Sequence, residues 1–175
     1  RRDVVLKVEN GIVLPDPEQD VAMVSVLERF GRNGNKSLAF CSGWKLKKGA
    51  MASSAAPDDN NLVVMGVSAE DMSIAANYVI EQGGGQVVVA DGEILEFLPL
   101  PVGGIVSDLE PEEIAAWEKK IDHAARSLGS DLPDPMMYMF FLPITAIPDY
   151  AITDAGPVDY TALTTFEPVL EVTEK

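Results

Sequence analysis

The sequence predicts an α+β domain: a mixed β-sheet built with β-hairpins and carrying two main helices. Two reversals containing glycine, Gly31-Arg32-Asn33-Gly34-Asn35 and Asp91-Gly92, separate apolar runs, which is the pattern of hairpins. Two segments, beginning at Ser68 and at Pro111, repeat apolar residues at helical spacing. With 175 residues and 47% apolar composition, the chain reads as one domain over 1–175, with residues 1–20 as an extended lead-in and 143–175 as an extended tail.

The elements follow in order. Asp3 to Val8 alternates apolar and polar residues and predicts a short strand; Gly11 to Pro17 then reads as a connection. Val21 to Phe30 is rich in β-branched residues, and Ser37 to Trp44 returns as its antiparallel partner. Lys45, Lys47 and Lys48 beside Trp44 read as charges that keep a strand edge soluble rather than as a basic-aromatic binding patch. Ala50 to Ala56 is a run of small residues ending at Pro57. After the polar knot Asp58-Asp59-Asn60-Asn61, Leu62 to Val67 is a continuous apolar run, the pattern of a central strand covered on both faces.

Ser68 predicts an N-cap, and Met72, Ala75, Ala76, Val79 and Ile80 form one face of the helix it starts. Gly83-Gly84-Gly85 ends that helix at the left-handed position glycine favours. A phosphate loop would precede a helix and use its positive end, so the polarity of this triplet argues against a nucleotide site. Gln86 to Ala90 completes a strand–helix–strand unit over 62–90, and Asp91-Gly92 turns the chain into Glu93 to Leu98, which Pro99 and Pro101 terminate. Pro111 opens a second helix whose apolar face carries Ile114, Trp117, Ile121, Ala124, Ala125 and Leu128, with Gly129 as its stop. Met136 to Leu142 reads as a buried aromatic and methionine-rich strand, followed by a tail punctuated at Pro143, Pro148, Gly156 and Pro168.

Composition narrows the function. Thirteen basic against 28 acidic residues give a net charge of −15, which repels nucleic acids and anionic membrane surfaces. One cysteine, Cys41, cannot form an internal disulfide, and it reads as a small buried apolar residue in a chain suited to the cytoplasm. No run reaches the roughly 20 apolar residues of a membrane span, and no secretory signal opens the chain. The first residue is Arg1, which suggests a part of something longer.

A metal site needs a cluster of ligands, and this chain has one histidine, His123, inside the second helix. A serine or cysteine nucleophile would depend on that same histidine. No catalytic or metal-binding residue is therefore assigned. Asp58 and Asp59 adjoin, with Asp108 in another loop, but adjacent loop aspartates commonly shape turns.

Several short segments, in order, resemble one family. They include Val13-Leu14-Pro15-Asp16-Pro17-Glu18, Val26-Leu27-Glu28-Arg29, Lys48-Gly49-Ala50 through Ser53-Ser54, and Asp58 with Asn61. Further along stand Gly83-Gly84-Gly85-Gln86-Val87-Val88-Val89, Leu98-Pro99-Leu100-Pro101, Ser107-Asp108, Leu132-Pro133-Asp134-Pro135, and Thr153-Asp154 with Gly156. From Val13 to Val169 the chain resembles the C-terminal domain of bacterial adenine deaminases, hydrolases that convert adenine to hypoxanthine and ammonia. The resemblance implies that the catalytic metal, manganese or iron, belongs to an amidohydrolase barrel that these residues do not include. It also implies two histidine signatures in this domain: a His-His pair where this chain has Phe30-Gly31, and a His-Asp-Ser-His-Asn stretch where it has Pro57-Asp58-Asp59-Asn60-Asn61. Only Asp58 and Asn61 match the second.

The leading expectation is a domain that does not deaminate adenine alone, joined to or associated with such a barrel. One alternative is a purine-binding or regulatory module using Arg29, Ser53, Ser54, Asp58, Asn61 and Asp108. Another is a structural domain that forms homo-oligomers through its tail or strand edges.

Overall fold

The computed structural model describes residues 2–147 and 149–173, so Arg1 and the Pro148 breakpoint lie outside the described residues. The α+β class holds, organised around a six-stranded sheet. Strand β1 (Val8–Glu9) pairs with β2 (Ile12–Val13) in a short hairpin, and a 3₁₀ turn over Pro17–Gln19 follows. The strand expected over residues 3–8 is corrected: of these residues only Val8 belongs to a strand, and Lys7 O accepts the Leu14 amide at 2.9 Å just ahead of it. Strands β3 (Ala22–Leu27) and β4 (Lys36–Cys41) form the expected hairpin, in register from Ala22 opposite Cys41 to Leu27 opposite Lys36.

Strand β5 (Ala50–Ser53) and strand β6 (Leu62–Gly66) are buried along their whole length. Helix α1 (Ala69–Glu81) leads to β7 (Gly85–Ala90), and β8 (Glu93–Pro99) returns beside β7. The turn between β7 and β8 places Asp91 and Gly92 at φ of 55° and 81°, the positive pair that two-residue hairpins prefer. The sheet order is β4-β3-β6-β5-β7-β8. Every adjacent pair is antiparallel, so the sheet is antiparallel rather than mixed. The two strands flanking α1, β6 and β7, do run the same way, but β5 is inserted between them and is antiparallel to both.

Alternation along the strands divides the core into two layers. On one face Met72, Ala75 and Val79 of α1 pack on Ala50, Ala52, Val64, Val87 and Val89. On the other, Met51, Val63, Met65, Val88 and Leu98 meet α2 (Pro111–Ser127) through Ile121, Ala125 and Leu128. Ser68 Oγ accepts the Asp71 amide at 3.2 Å and caps α1; Gly83, at φ 77°, follows its last turn. Pro111 occupies the first turn of α2, and the Glu113 side chain accepts the Glu110 amide at 3.3 Å.

Residues 136–142 are not a strand. Pro135–Phe140 forms a short helix, α3, with Asp134 Oδ1 accepting the Met137 amide at 3.0 Å. Met136 and Met139 are buried while Met137 and Tyr138 are exposed, a spacing of three that fits a helix and not the two of a strand. Beyond it, the segment read as an extended tail pairs with itself: β9 (Tyr150–Thr153), β10 (Gly156–Asp159) and β11 (Thr164–Thr165) form a three-stranded sheet beside β4.

Gly49, where the chain enters β5, cannot carry a side chain. Its φ is 72°, and a Cβ would lie 2.4 Å from Val89 O and 2.8 Å from Leu128 Cδ2. Leu128 closes α2 with no exposed surface, and its carbonyl accepts the Lys47 amide at 2.8 Å. Truncating it by Leu128→Ala leaves a cavity between α2 and the sheet. Urea unfolding is expected to show a loss of about 2–5 kcal/mol, with the slope against denaturant unchanged.

Candidate functional site

Register brings the candidate residues to one end of the sheet. Ser53 pairs with Val63 and Gln86, Leu27 with Leu62, and Gly85 with Pro99. The loops that leave this end are therefore 28–35, 54–61, the glycine turn 83–85 and the segment 100–106. Five of the six positions singled out from sequence lie here: Arg29, Ser53, Ser54, Asp58 and Asn61. Asp108 stands exposed between the 100–106 segment and α2, with no hydrogen bond to the other five among the described residues.

Arg29 ties two of these loops together. Its Nε donates to Asn60 O at 2.6 Å, its Nη2 donates to Gly103 O at 2.7 Å, and its guanidinium lies 4.5 Å from the Phe30 ring centroid. Burial moves its pKa down from the usual arginine value, while the charge-assisted bonds use the fork geometry of the guanidinium. Ser54, fully buried, bridges the next two: its Oγ donates to Gly104 O at 2.5 Å and accepts the Gly85 amide at 2.8 Å. Gly84 allows this approach, since a Cβ there would lie 2.3 Å from Gly104 Cα at a φ of 136°. Ser53 Oγ makes a local turn, donating to Ala55 O and accepting the Ala55 amide.

The polar knot is similarly self-contained. Asp59 accepts both the Asn61 amide at 2.9 Å and the Asn61 side-chain NH₂ at 2.8 Å, and Asn60 adopts a positive φ of 52°. Thr145 Oγ1 donates to Asp58 Oδ2 at 3.5 Å, linking the knot to the chain after α3. Asn61, only 4% exposed, keeps one buried atom without a hydrogen-bond partner, its Oδ1. One organiser escaped the sequence reading. Glu28 accepts the backbone amides of Phe30, Arg32, Asn33 and Gly34 and shapes the whole β3–β4 loop. Burial would raise its pKa, but these four donors hold it below the usual glutamate value. The clue was a carboxylate directly before a glycine- and asparagine-rich loop.

Two cavities lie elsewhere. One, of about 400 Å³, occupies the opposite end of the sheet and is lined by Lys47, Lys48, Gly49, Ser68, Asp71 and Gly92 among others. The lysines near it are paired on the surface: Lys45 with Asp131 at 2.6 Å, Lys47 with Glu18 at 3.4 Å and Lys48 with Asp91 at 3.0 Å. The other, of about 740 Å³, lies beside β4. Among the described residues, no group of three or more His, Cys, Asp and Glu side chains is placed to hold a metal ion, and no helix is long and apolar enough to cross a membrane. His123 is exposed on α2.

A family model for the adenine deaminase C-terminal domain matches residues 1–164. The chain belongs to this family. It is 79% identical over 170 residues to adenine deaminase 1 of Desulfotalea psychrophila, a match covering 97% of this chain and 29% of that protein. It is 64% identical over 167 residues to adenine deaminase 1 of Latilactobacillus sakei, covering 95% and 28%, and 56% identical over 169 residues to adenine deaminase 4 of Rhizobium meliloti, covering 97% and 28%. The chain thus spans less than a third of the length of these relatives and matches their C-terminal part. In this C-terminal-type domain the motif-bearing loops gather at one end of the sheet.

Two outcomes follow from this geometry. Ser54→Ala strands the Gly85 amide and the Gly104 carbonyl in a dry site, and is expected to cost about 1–3 kcal/mol in thermal or urea unfolding. Cys41 has its thiol pushed up to about 12, by burial first and by the Asp20 carboxylate second, although part of the residue meets solvent. Its thiolate population is therefore negligible at pH 8, and labelling by a thiol reagent is expected to be slow in buffer and fast in urea.

Proposed function

We propose that this chain serves as the C-terminal domain of an adenine deaminase and is not catalytic by itself. In this reading a preceding amidohydrolase barrel carries the manganese or iron site and the chemistry that converts adenine to hypoxanthine and ammonia, in the cytoplasm. The observation that carries it is the match over 97% of this chain to only 29% of a relative named adenine deaminase. The internal use of the candidate side chains supports it. Arg29, Ser54 and Asp58 hold neighbouring segments in place and Ser53 shapes its own turn, as expected of a supporting domain. The test is an assay for hypoxanthine. The isolated chain with added manganese or iron is expected to form none, whereas a chimera carrying this chain in place of the matching part of the Desulfotalea psychrophila protein is expected to deaminate adenine. Hypoxanthine from the isolated chain would overturn the reading.

One atom favours a second role at the same end of the sheet. The buried Asn61 Oδ1 has no hydrogen-bond partner, and it is an acceptor that a purine N–H would satisfy. Under this reading millimolar adenine raises the melting temperature of the isolated chain. A melting temperature unchanged by adenine removes it.

A further inference from the structure

The 740 Å³ cavity is an open groove between the amino-terminal arm, residues 39–42 at the end of β4 and just after it, and the carboxyl-terminal segment 166–173. Much of its lining is apolar and meets solvent: Val5 is 85% exposed, Leu170 and Val172 are each 64% exposed, Tyr150 is 42% and Val169 is 39%. The arm that forms one wall is held in place. Arg2 Nη2 donates to Ser42 Oγ at 3.0 Å, and the Gln19 side-chain amide donates to Val5 O at 3.0 Å. Apolar side chains gathered at this density along a fixed groove mark a surface that another polypeptide covers.

We propose that this groove is the docking surface for the polypeptide that precedes the domain in a longer protein of the relatives' kind, an inference that rests on the function proposed above. Two observations select that occupant over a second copy of this chain. The relatives continue for more than two thirds of their length outside the matched part, which is their C-terminal part. A preceding chain also enters at the amino-terminal arm, whose residues Arg2 to Leu6 line the groove itself. A covalently joined partner arrives at an effective concentration of roughly millimolar for a short link, well above that of a free second copy. The occupant presents an apolar surface. Arg2 and Glu171, also in the lining, supply charges of both signs that set its register.

Hydrogen exchange tests this on the isolated chain and on the chimera with the Desulfotalea psychrophila protein. Peptides covering 3–8 and 166–172 are expected to exchange at least tenfold more slowly in the chimera, and a Leu170→Asp, Val172→Asp double variant of the chimera is expected to lose that protection. Both substituted side chains are exposed in the free domain, so the variant keeps the fold, checked by circular dichroism. Equal exchange in the two proteins overturns the proposal. So does a dimer of the isolated chain by light scattering with the same peptides protected, which makes a second copy the occupant. An active chimera with an unprotected groove refutes the docking surface and leaves the deaminase reading standing; an inactive chimera with a protected groove supports the docking surface and counts against that reading.

Discussion

The structure depends on one short strand. Ala50-Met51-Ala52-Ser53 lies between β6 and β7, hydrogen-bonded to both and closed to solvent on both faces. Its alternating side chains explain why these small residues are needed. Ala50 and Ala52 face α1 and let Ala75 of that helix approach the sheet closely, whereas Met51 faces the other way and reaches into the layer under α2. A larger residue at 50 or 52 would push α1 outward, and overpacked interiors are destabilised as surely as underpacked ones. The two glycines at its Ala50 end serve the same close packing. Gly49 lies against Val89 and Leu128, and Gly66 lies against Gly49 O and Ala50.

That inserted strand also decides what the two ends of the sheet are for. Because β5 runs antiparallel to both neighbours, its exit at Ser53 and Ser54 stands beside the entry to β6, the entry to β7 and the exit of β8. Arg29 and Ser54 then fasten these loops through main-chain carbonyls rather than through other side chains. A loop cluster held this way keeps its shape when side chains on its outer surface change. The construction suits a family domain whose loop chemistry, at Phe30-Gly31 and Pro57 to Asn61, differs from the histidine pattern that the resemblance implies.

Much of this was legible from residues alone. Leu62 to Val67 reads as a central strand because no polar residue interrupts it; the Ser68 cap, the Gly83 stop and the Asp91-Gly92 turn each leave a local signature. The candidate residues at 29, 53, 54, 58 and 61 stand in the segments that carry the family resemblance, and pairing of the strands gathers them at one end of the sheet. What they do there was less visible, because their partners are backbone carbonyls at Asn60, Gly103 and Gly104 that no side chain announces. Residues 136–142 were misread because methionine and aromatic content suggested a strand, although Asp134-Pro135 repeats the acidic–proline start of α2 at Glu110-Pro111. The cap was the better guide, since it fixes backbone amides, whereas apolar content fixes only burial.

Sequence by itself determined the class, the β3–β4 and β7–β8 hairpins, the two long helices and the family, because each of these rests on signals within a few residues or on motifs in a fixed order. Tertiary structure alone decided that the sheet is antiparallel throughout, that β5 separates β6 from β7, and that the terminal segments form a groove beside β4. Those are pairings between residues far apart in the chain. They are set by which apolar faces and unpaired strand edges satisfy one another in the folded core, and no local pattern records that competition.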